Sequence, residues 1–577
     1  MSTPKTWNLK PQSPFASGLS REAGLTPLQA QLLINRGISD RESVLSFMEP
    51  RLSDMADPML FKGMNEALVI ILEAVDNRKQ ITIYGDYDAD GLTATALLLN
   101  FFGGLHLPVS SYIPNRLSEG YGLNREAVDV IAKSGTGLII TVDCGISDSE
   151  EIARARDSGM EVVVTDHHQI PAGYEASCPV IDPHQPDCSF PFKELAGVGL
   201  AFFLAVAIRA ALREQGWFKT KPEPDLRAYL DLVALGTVAD RVPLLGQNRI
   251  LVRNGLGIIT RSRWPGIEAM KEVSGIGERD VTSDDLGFRL GPRLNAPGRM
   301  DDPGLGLQLL TAQDPSVAKK LAQEINSANM KRQRVEQDIL NQIEERFIDP
   351  EGLGDARALV IACEGWHQGV LGIVASRLVE RHHRPSLVMD IRDGLAVGSG
   401  RSMAGFNLYE ALCSLSHLFE KFGGHAHAAG FTLKTENIES LRNGLGDLAG
   451  KTLGEEDLRP AIEVDGEMSL EGLSPEIISQ VRELSPFGEA NPEPIFLVRS
   501  LDVLDSRVVG ERHLKLRVRE KGNAFDAIGF GLSGWHSLAG KTINMLFTPE
   551  INRWKGHESI QLRIVDLEKA GGPSKLI

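Results

Sequence analysis

The stretch that leaves the fold least freedom is Ile81–Gly91, Ile-Thr-Ile-Tyr-Gly-Asp-Tyr-Asp-Ala-Asp-Gly. Its first residues, Ile81, Thr82, Ile83 and Tyr84, are β-branched or aromatic and read as a strand. Gly85 ends the strand. Asp86, Asp88 and Asp90 follow on alternate residues, and Gly91 turns the chain into a helix expected over Leu92–Leu99. Three carboxylates at one strand-to-helix turn repel one another unless cations neutralise them. Hard cations with oxygen ligands, Mg²⁺ or Mn²⁺, suit such a cluster. An EF-hand Ca²⁺ loop would need a helix before it and a Glu after it, and has neither here. Taken alone, the turn leaves a solvated acidic loop as the alternative.

The following chain narrows the choice. Val109–Ile113, Gly137–Val142, Glu161–Thr165 and Val180–Asp182 read as strands, with helices expected over Ala127–Ser134 and Ser149–Ser158. Alternation of this kind, with apolar strands, predicts a parallel sheet covered by helices on both faces. Such sheets carry their sites outside the carboxyl ends of the strands. Asp88 and Asp90, Asp143, and Asp166-His167-His168 each fall at that end of a different strand, and His184 follows the fourth. Helices are expected over Gly197–Arg213, over Leu226–Thr237 (running on to Val238-Ala239-Asp240), and over Leu244–Thr260. A loop should then lead to Gly291–Arg299. Arg116, Arg293 and Arg299 sit in Gly/Pro/Asn-rich segments, where polar residues tend to serve function.

Asp314–Ile348 is one long, charged helical pattern with few apolar positions, as expected of a connector that holds two units apart. Its Lys331, Arg332 and Arg334 read as solvated. A second, smaller α/β unit begins near Ala356. It contains Gly398-Ser399-Gly400-Arg401-Ser402, read as a turn whose backbone N–H groups approach a phosphate with Ser399 and Arg401. It also contains Gly423–Gly430, Gly-Gly-His-Ala-His-Ala-Ala-Gly, with His425 and His427 read as contacts to a substrate backbone, and His367 as a weaker case of the same. From about Pro460 short strands take over and suggest a small barrel of the oligonucleotide-binding kind, with Phe487, Phe496 and Phe525 in its core. The expected organisation is an N-terminal region 1–60, a catalytic domain 61–305, a connecting helix 306–350, a second domain 351–455 and a barrel 460–570, with a frayed tail over Gly571–Ile577.

Composition adds bounds. The 577 residues allow three or four domains. A net charge of -16 argues against wholesale nucleic-acid binding but leaves room for a local basic channel. Five scattered cysteines without a CxxC argue against disulfides and a structural zinc, hence for a cytoplasmic protein. No apolar run is long enough to cross a membrane.

Gly85–Gly91 (GDYDADG), Val142–Ile146 (VDCGI), Asp166–His168 (DHH) and Gly236–Leu244 (GTVADRVPL), in that order, resemble the DHH phosphoesterase superfamily, and Gly423–Gly430 is similar to its DHHA1 partner domain. The spacing, with the closing barrel, resembles the RecJ-like exonucleases of that superfamily over nearly the whole chain. The resemblance implies a parallel-sheet DHH domain joined by a long helix to a DHHA1 domain, plus an OB-like barrel. It implies hydrolysis of single-stranded DNA from the 5′ end by a two-metal, activated-water mechanism in recombination and repair. Asp88, Asp90, Asp143, His167 and Asp240 match the positions of ligands for two divalent cations, Mn²⁺ or Mg²⁺, with His168 beside them and Asp143 bridging. Asp86, Asp166 and His184 are implied to orient the ligands. Arg116, Arg299, Ser399 and Arg401 are implied to hold the substrate's phosphates, including a 5′ end. Tyr84 stands where small relatives often carry a histidine ligand. Implied partners are single-stranded DNA, a single-strand-binding protein and a helicase. The competing functions are a phosphodiesterase for short oligonucleotides or small phosphoesters, and a non-catalytic replication scaffold.

Overall fold

The structure, a computed structural model, describes residues 5–116, 118–171, 173–300, 302–348, 353–554, 557–572 and 575–576. The expected domain boundary at 350 and 351 lies outside these residues. In chain order the strands are β1 (Thr6–Leu9), β2 (Gln80–Gly85), β3 (Val109–Tyr112), β4 (Thr136–Val142), β5 (Glu161–Thr165) and β6 (Val180–Ile181). Strands β2 to β6 form one parallel sheet in the order β3-β2-β4-β5-β6. Its centre, β2, β4 and β5, is almost wholly buried. The helices Met64–Asp76, Ala89–Gly104 and Gly197–Glu214 cover one face in the largest apolar core, and Arg125–Lys133 and Ser149–Asp157 cover the other.

The second unit holds β7 (Leu359–Glu364), β8 (Ser386–Arg392), β9 (Leu395–Arg401), β10 (Phe419–His425) and β11 (Ala428–Lys434), ordered β10-β11-β9-β8-β7 and antiparallel except for β7–β8. The stretch read as a turn, Gly398–Ser402, is therefore mostly mid-sheet strand. Its backbone is spent on β8 and β11, so its N–H groups are not free donors for a phosphate. The glycines serve packing instead: a side-chain carbon at Gly398 would meet the Phe431 ring and Met389 at about 2.5 Å.

The helix Pro315–Arg346 joins the units, but it is no bare spacer. Ala318, Ala322 and Ile325 enter the catalytic unit's core, while Ile339, Leu340 and Ile343 enter a core of the second unit. Few apolar residues suffice because each set needs to face only one partner. Arg332 is buried, paired with Glu336 at 3.0 Å and Asn329 at 3.1 Å, and so is not solvated as its charge alone suggests.

The barrel follows β12 (Ala461–Val464). Strands β13 (Gly466–Glu467), β14 (Phe496–Val509), β15 (His513–Glu520), β16 (Asn523–Gly529), β17 (Thr542–Trp554) and β18 (His557–Lys569) run β13-β14-β15-β16-β18-β17, and β17 pairs back onto β14 to close it. The N-terminal region is not a separate lead-in. Leu32, Leu33, Val44 and Phe47 share one core with barrel residues Val498, Leu516 and Phe547, and β1 pairs in parallel with β12. Nor is all of the tail frayed: Lys575 C=O accepts from Trp7 N–H at 2.7 Å, and its Nζ donates to Asp566 at 2.9 Å.

One side chain ties three of these parts together. Arg249, on the helix Gly246–Thr260, is 1% exposed. Its guanidinium donates to Phe47 C=O (2.7 Å), Leu484 C=O (3.0 Å), Ser485 C=O (3.0 Å) and Pro486 C=O (3.4 Å), and lies 3.6 Å from the centre of the Phe47 ring. Arg249→Ala should leave buried carbonyls without donors and lower stability by about 3 kcal/mol or more. Arg249→Lys should recover only part, since one ammonium lacks the five-donor fork. Denaturant midpoints of the three proteins measure this. Equal midpoints would show that the interface does not depend on Arg249.

Candidate metal centre

The three acidic and histidine motifs converge at the carboxyl edge of the parallel sheet. Asp88 caps the helix Ala89–Gly104, its Oδ1 accepting from Asp90 N–H at 2.9 Å and Gly91 N–H at 3.1 Å. Asp90, one residue into the helix, is buried and accepts from the first amides of another helix, Gly197 N–H to Oδ2 at 2.6 Å and Val198 N–H to Oδ1 at 2.9 Å. Helix amides suit a buried carboxylate because they are orphan donors at the positive end of a dipole. The approach requires Gly197: a side-chain carbon there would lie 2.8–3.0 Å from the Asp143 side chain.

Asp143 follows β4 with φ of 63°, a left-handed conformation uncommon for a residue with a side chain. The turn brings its carboxylate over the sheet edge. His167 Nε2 lies 3.0 Å from Asp143 Oδ1, 3.7 Å from Asp240 Oδ2 and 3.9 Å from Asp90 Oδ2. Asp240 is the last residue of the helix Leu230–Asp240. Asp86 Oδ1, Asp143 Oδ1, Asp240 Oδ2 and His167 Nε2 are all buried without a hydrogen-bond partner among the described residues. Four unsatisfied ligand atoms converging in one place are what a cation-binding site presents. Three sets of ligand atoms lie within 4.8 Å of one another: Asp86, Asp88 and Asp143; Asp90, His167 and Asp240; Asp143, His167 and His168. The first two sets do not overlap, and Asp143 adjoins both through the third.

Asp86 thus stands among the candidate ligands rather than behind them, since its free oxygen shares a set with Asp88 and Asp143. Asp166 is the orienting carboxylate. Its Oδ1 accepts from His167 N–H (2.8 Å) and lies 2.7 Å from His168 Nδ1, and its Oδ2 accepts from Ile146 N–H (2.9 Å). His184 pairs with Asp182 at 3.4 Å and belongs to none of the three sets. Tyr84 is buried and turned away, its hydroxyl donating to Gly122 C=O at 2.8 Å.

Two positioning residues were invisible in the motifs. Tyr121 donates to Asp143 C=O and reaches His168 Nδ1, each at 3.0 Å. Asn295 Oδ1 accepts from Ala89 N–H at 2.6 Å, pinning the first acidic turn from about two hundred residues away. A lone Tyr or Asn in a polar segment carries no spacing signal.

The phosphate candidates group beside the acids. Arg116 lies 5.2 Å from the centre of the Tyr87 ring. Arg299 belongs to a short helix, Ala296–Arg299, and Arg293 to Gly291–Leu294; neither is in the loop expected, since Pro292 and Pro297 start helical turns. Arg299 Nη1 donates to Gly369 C=O at 3.4 Å, and burial, then Arg116, pushes its guanidinium down to about 9. Arg401 Nη1 donates to Ser399 Oγ at 3.0 Å. His425 ends β10, and His427 lies in the exposed turn after it, its carbonyl accepting from Ser402 N–H at 2.9 Å. His367 caps the turn Gln368–Val370 through Nδ1, which accepts from Gly369 N–H at 3.2 Å. Phe496 is core, and Phe487 and Phe525 pack against the same core.

Sequence-family models match three parts of the chain: "DHH family, N-terminal domain" residues 80–237, "DHHA1 domain" residues 355–451 and "RecJ OB domain" residues 464–566. The single-stranded-DNA-specific exonuclease RecJ of Dickeya dadantii is 40% identical, covering 94% of this chain and 96% of its own. That of Escherichia coli is 38% identical over the same shares. Among solved structures, Thermus thermophilus RecJ in complex with Mn²⁺ superposes with a TM-score of 0.83 at 31% identity, covering 99% of this chain and 80% of that one. Its Mg²⁺ complex gives 0.78 at 29% identity, covering 99% and 79%.

Burial, then Asp240, pushes the Asp90 carboxyl up to about 7, and burial likewise raises Asp86, Asp143 and Asp240. The metal-free site therefore holds protons near neutrality, and a cation must displace them. Mn²⁺ binding should release protons at pH 6–7, and its affinity should rise with pH through this range. Titration calorimetry in two buffers of different ionisation enthalpy should return different apparent enthalpies; identical values would mean the carboxylates are already ionised.

Proposed function

The chain belongs to the RecJ family of single-stranded-DNA-specific exonucleases, and from that premise we propose the ligand roles, the polarity and the end recognition of this site. The small-phosphoester and scaffold readings give way to the family. We assign Asp88, Asp90, Asp143, His167 and Asp240 as metal ligands, with Asp86 added to them, His168 beside them, and Asp143 shared between two cations. Bound Mn²⁺ or Mg²⁺ would neutralise the scissile phosphate and lower the pKa of the attacking water. The protein's own work is orientation. Asp166 holds the His168 imidazole and the His167 backbone N–H, the helix amides hold Asp90, and Tyr121 holds the Asp143 backbone.

The observation that carries end recognition is the clustering of Arg116, Arg299 and Arg401 beside Asp86 and Asp88. Arg401 and Arg299 each feel Arg116, Asp86 also feels Arg116, and Arg299 also feels Asp88. A terminal phosphate carries more charge than an internal one and suits several guanidinium groups. The strand would enter with its 5′ end there, Ser399 completing the pocket and His425 and His427 touching the backbone nearby. Digestion would run 5′→3′. We place this activity in recombination and repair in the cytoplasm, where a helicase and a single-strand-binding protein would supply the substrate. The five free thiols fit a reducing compartment.

Asp143→Ala should abolish hydrolysis of single strands while thermal stability and most strand affinity persist, because the change removes one of several mutually repelling carboxylates. Substantial remaining activity with Mn²⁺ would refute the shared-ligand role. A 5′-phosphorylated strand should be cut faster than a 5′-hydroxyl strand, and Arg401→Ala should shrink that preference, each charge-assisted bond contributing roughly 1.5–3 kcal/mol. Initial rates on end-labelled strands decide both points. Products that appear first from the 3′ end would overturn the polarity.

A further inference from the structure

Six arginines follow one another out of the phosphate cluster. Arg401 feels Arg116, Arg299 feels both Arg116 and Arg332, and Arg293 feels both Arg332 and Arg289. The links are also geometric. Arg299 and Arg332 line one cavity of about 200 Å³ together with Ala239, Gly287 and Asn295. Arg332 Nε is buried with no hydrogen-bond partner among the described residues. Arg293 donates to Asn326 Oδ1 at 3.0 Å and to Arg289 C=O at 2.8 Å. Arg332 also pairs with Glu336 at 3.0 Å and Arg289 with Asp285 at 3.4 Å, so the row stays net positive, and in a chain of net charge -16 that is complementary to a polyanion laid along it.

The row ends at an aromatic ring. Phe288 is 79% exposed, more than any other large hydrophobic side chain among the described residues. It lies on a π-helical turn, Leu286–Leu290, a rare form that recurs at functional sites. Gly287, beside it, faces Val238 of the helix that ends in Asp240. On the other side Asp284 feels Arg563 of β18. The ring thus stands between the metal centre and the barrel, next to the last arginine of the row.

We propose that Phe288 is a stacking platform for a base of the single strand, on the stretch between the barrel and the metals, with the arginine row holding the phosphates between the ring and the metals. Stacking suits a nuclease that must accept any sequence, because every base has a π-face. The proposal rests on the terminus being held at the Arg401 end, which sets the direction in which the strand is counted.

The test uses a 5′-phosphorylated strand carrying 2-aminopurine at successive positions, bound to full-length Asp143→Ala so that it is not degraded. One internal position should be quenched by stacking. Adding Phe288→Ala should abolish that quench and weaken strand binding at least five-fold; adding Phe288→Trp should retain both. An exposed ring can be removed without unfolding the chain, and equal thermal midpoints verify that. Unchanged quench and affinity in Phe288→Ala would overturn the proposal. Should digestion run from the 3′ end, the quenched position would be counted from that end and would still depend on Phe288, so the two readings fail separately.

Discussion

Everything at the sheet edge depends on keeping several carboxylates buried within a few ångströms of one another. Each is costly there unless something answers it. Asp90 is answered by two amides of the helix Gly197–Glu214, and Asp166 by amides and an imidazole. Asp86, Asp143 and Asp240 each keep a free oxygen, so their repulsion is left for a cation. The fold supplies rigidity where the charges are and leaves these ligating atoms unsatisfied. The helix contacts therefore serve both stability and chemistry: the amides that hold Asp90 also seat a core helix with Val198, Leu200 and Phe203 buried.

Much of this was legible in the sequence because the signals are local. An apolar strand ending in Asp or His announces both a parallel sheet and its functional edge, and β2, β4 and β5 lie within a residue or so of their expected limits. What failed was non-local. Gly398–Ser402 looks like a turn by composition, but Gly398 answers to Phe431 and Met389 across the sheet, and Gly400 to Leu408. Arg332 looks solvated on a charged helix, but its face meets Glu336 and the Arg299 cavity. Pro292 and Pro297 read as loop formers, yet each starts a helical turn. Tyr121 and Asn295 act through single contacts with distant backbone, and no spacing rule reports such a contact.

The acidic net charge and the nucleic-acid substrate are reconciled by segregation. The acids at the sheet edge attract cations and repel phosphates, so a strand needs compensating guanidinium groups close by. Arg116, Arg299 and Arg401 stand on that border, and their mutual repulsion shows in lowered affinity for their own protons at Arg299 and Arg401. Burial is the larger cause of both shifts. Charge of both signs, unrelieved on either side of one cleft, prepares it for a phosphodiester and its cations together.

The pairing of β1 with β12 has a consequence for synthesis. Trp7 leaves the ribosome long before Ile462, its register partner, exists, and its other neighbour Leu576 comes later still. At about 5–20 residues per second the wait is tens of seconds. Throughout it Leu32, Leu33 and Phe47 have no barrel to cover them. The catalytic sheet can form meanwhile, but Arg249 stays short of three of its four carbonyl partners until Leu484, Ser485 and Pro486 arrive. The nascent chain thus carries an apolar N-terminal patch until the barrel has been made, and a stretch made more than four hundred residues later completes the folding of the first.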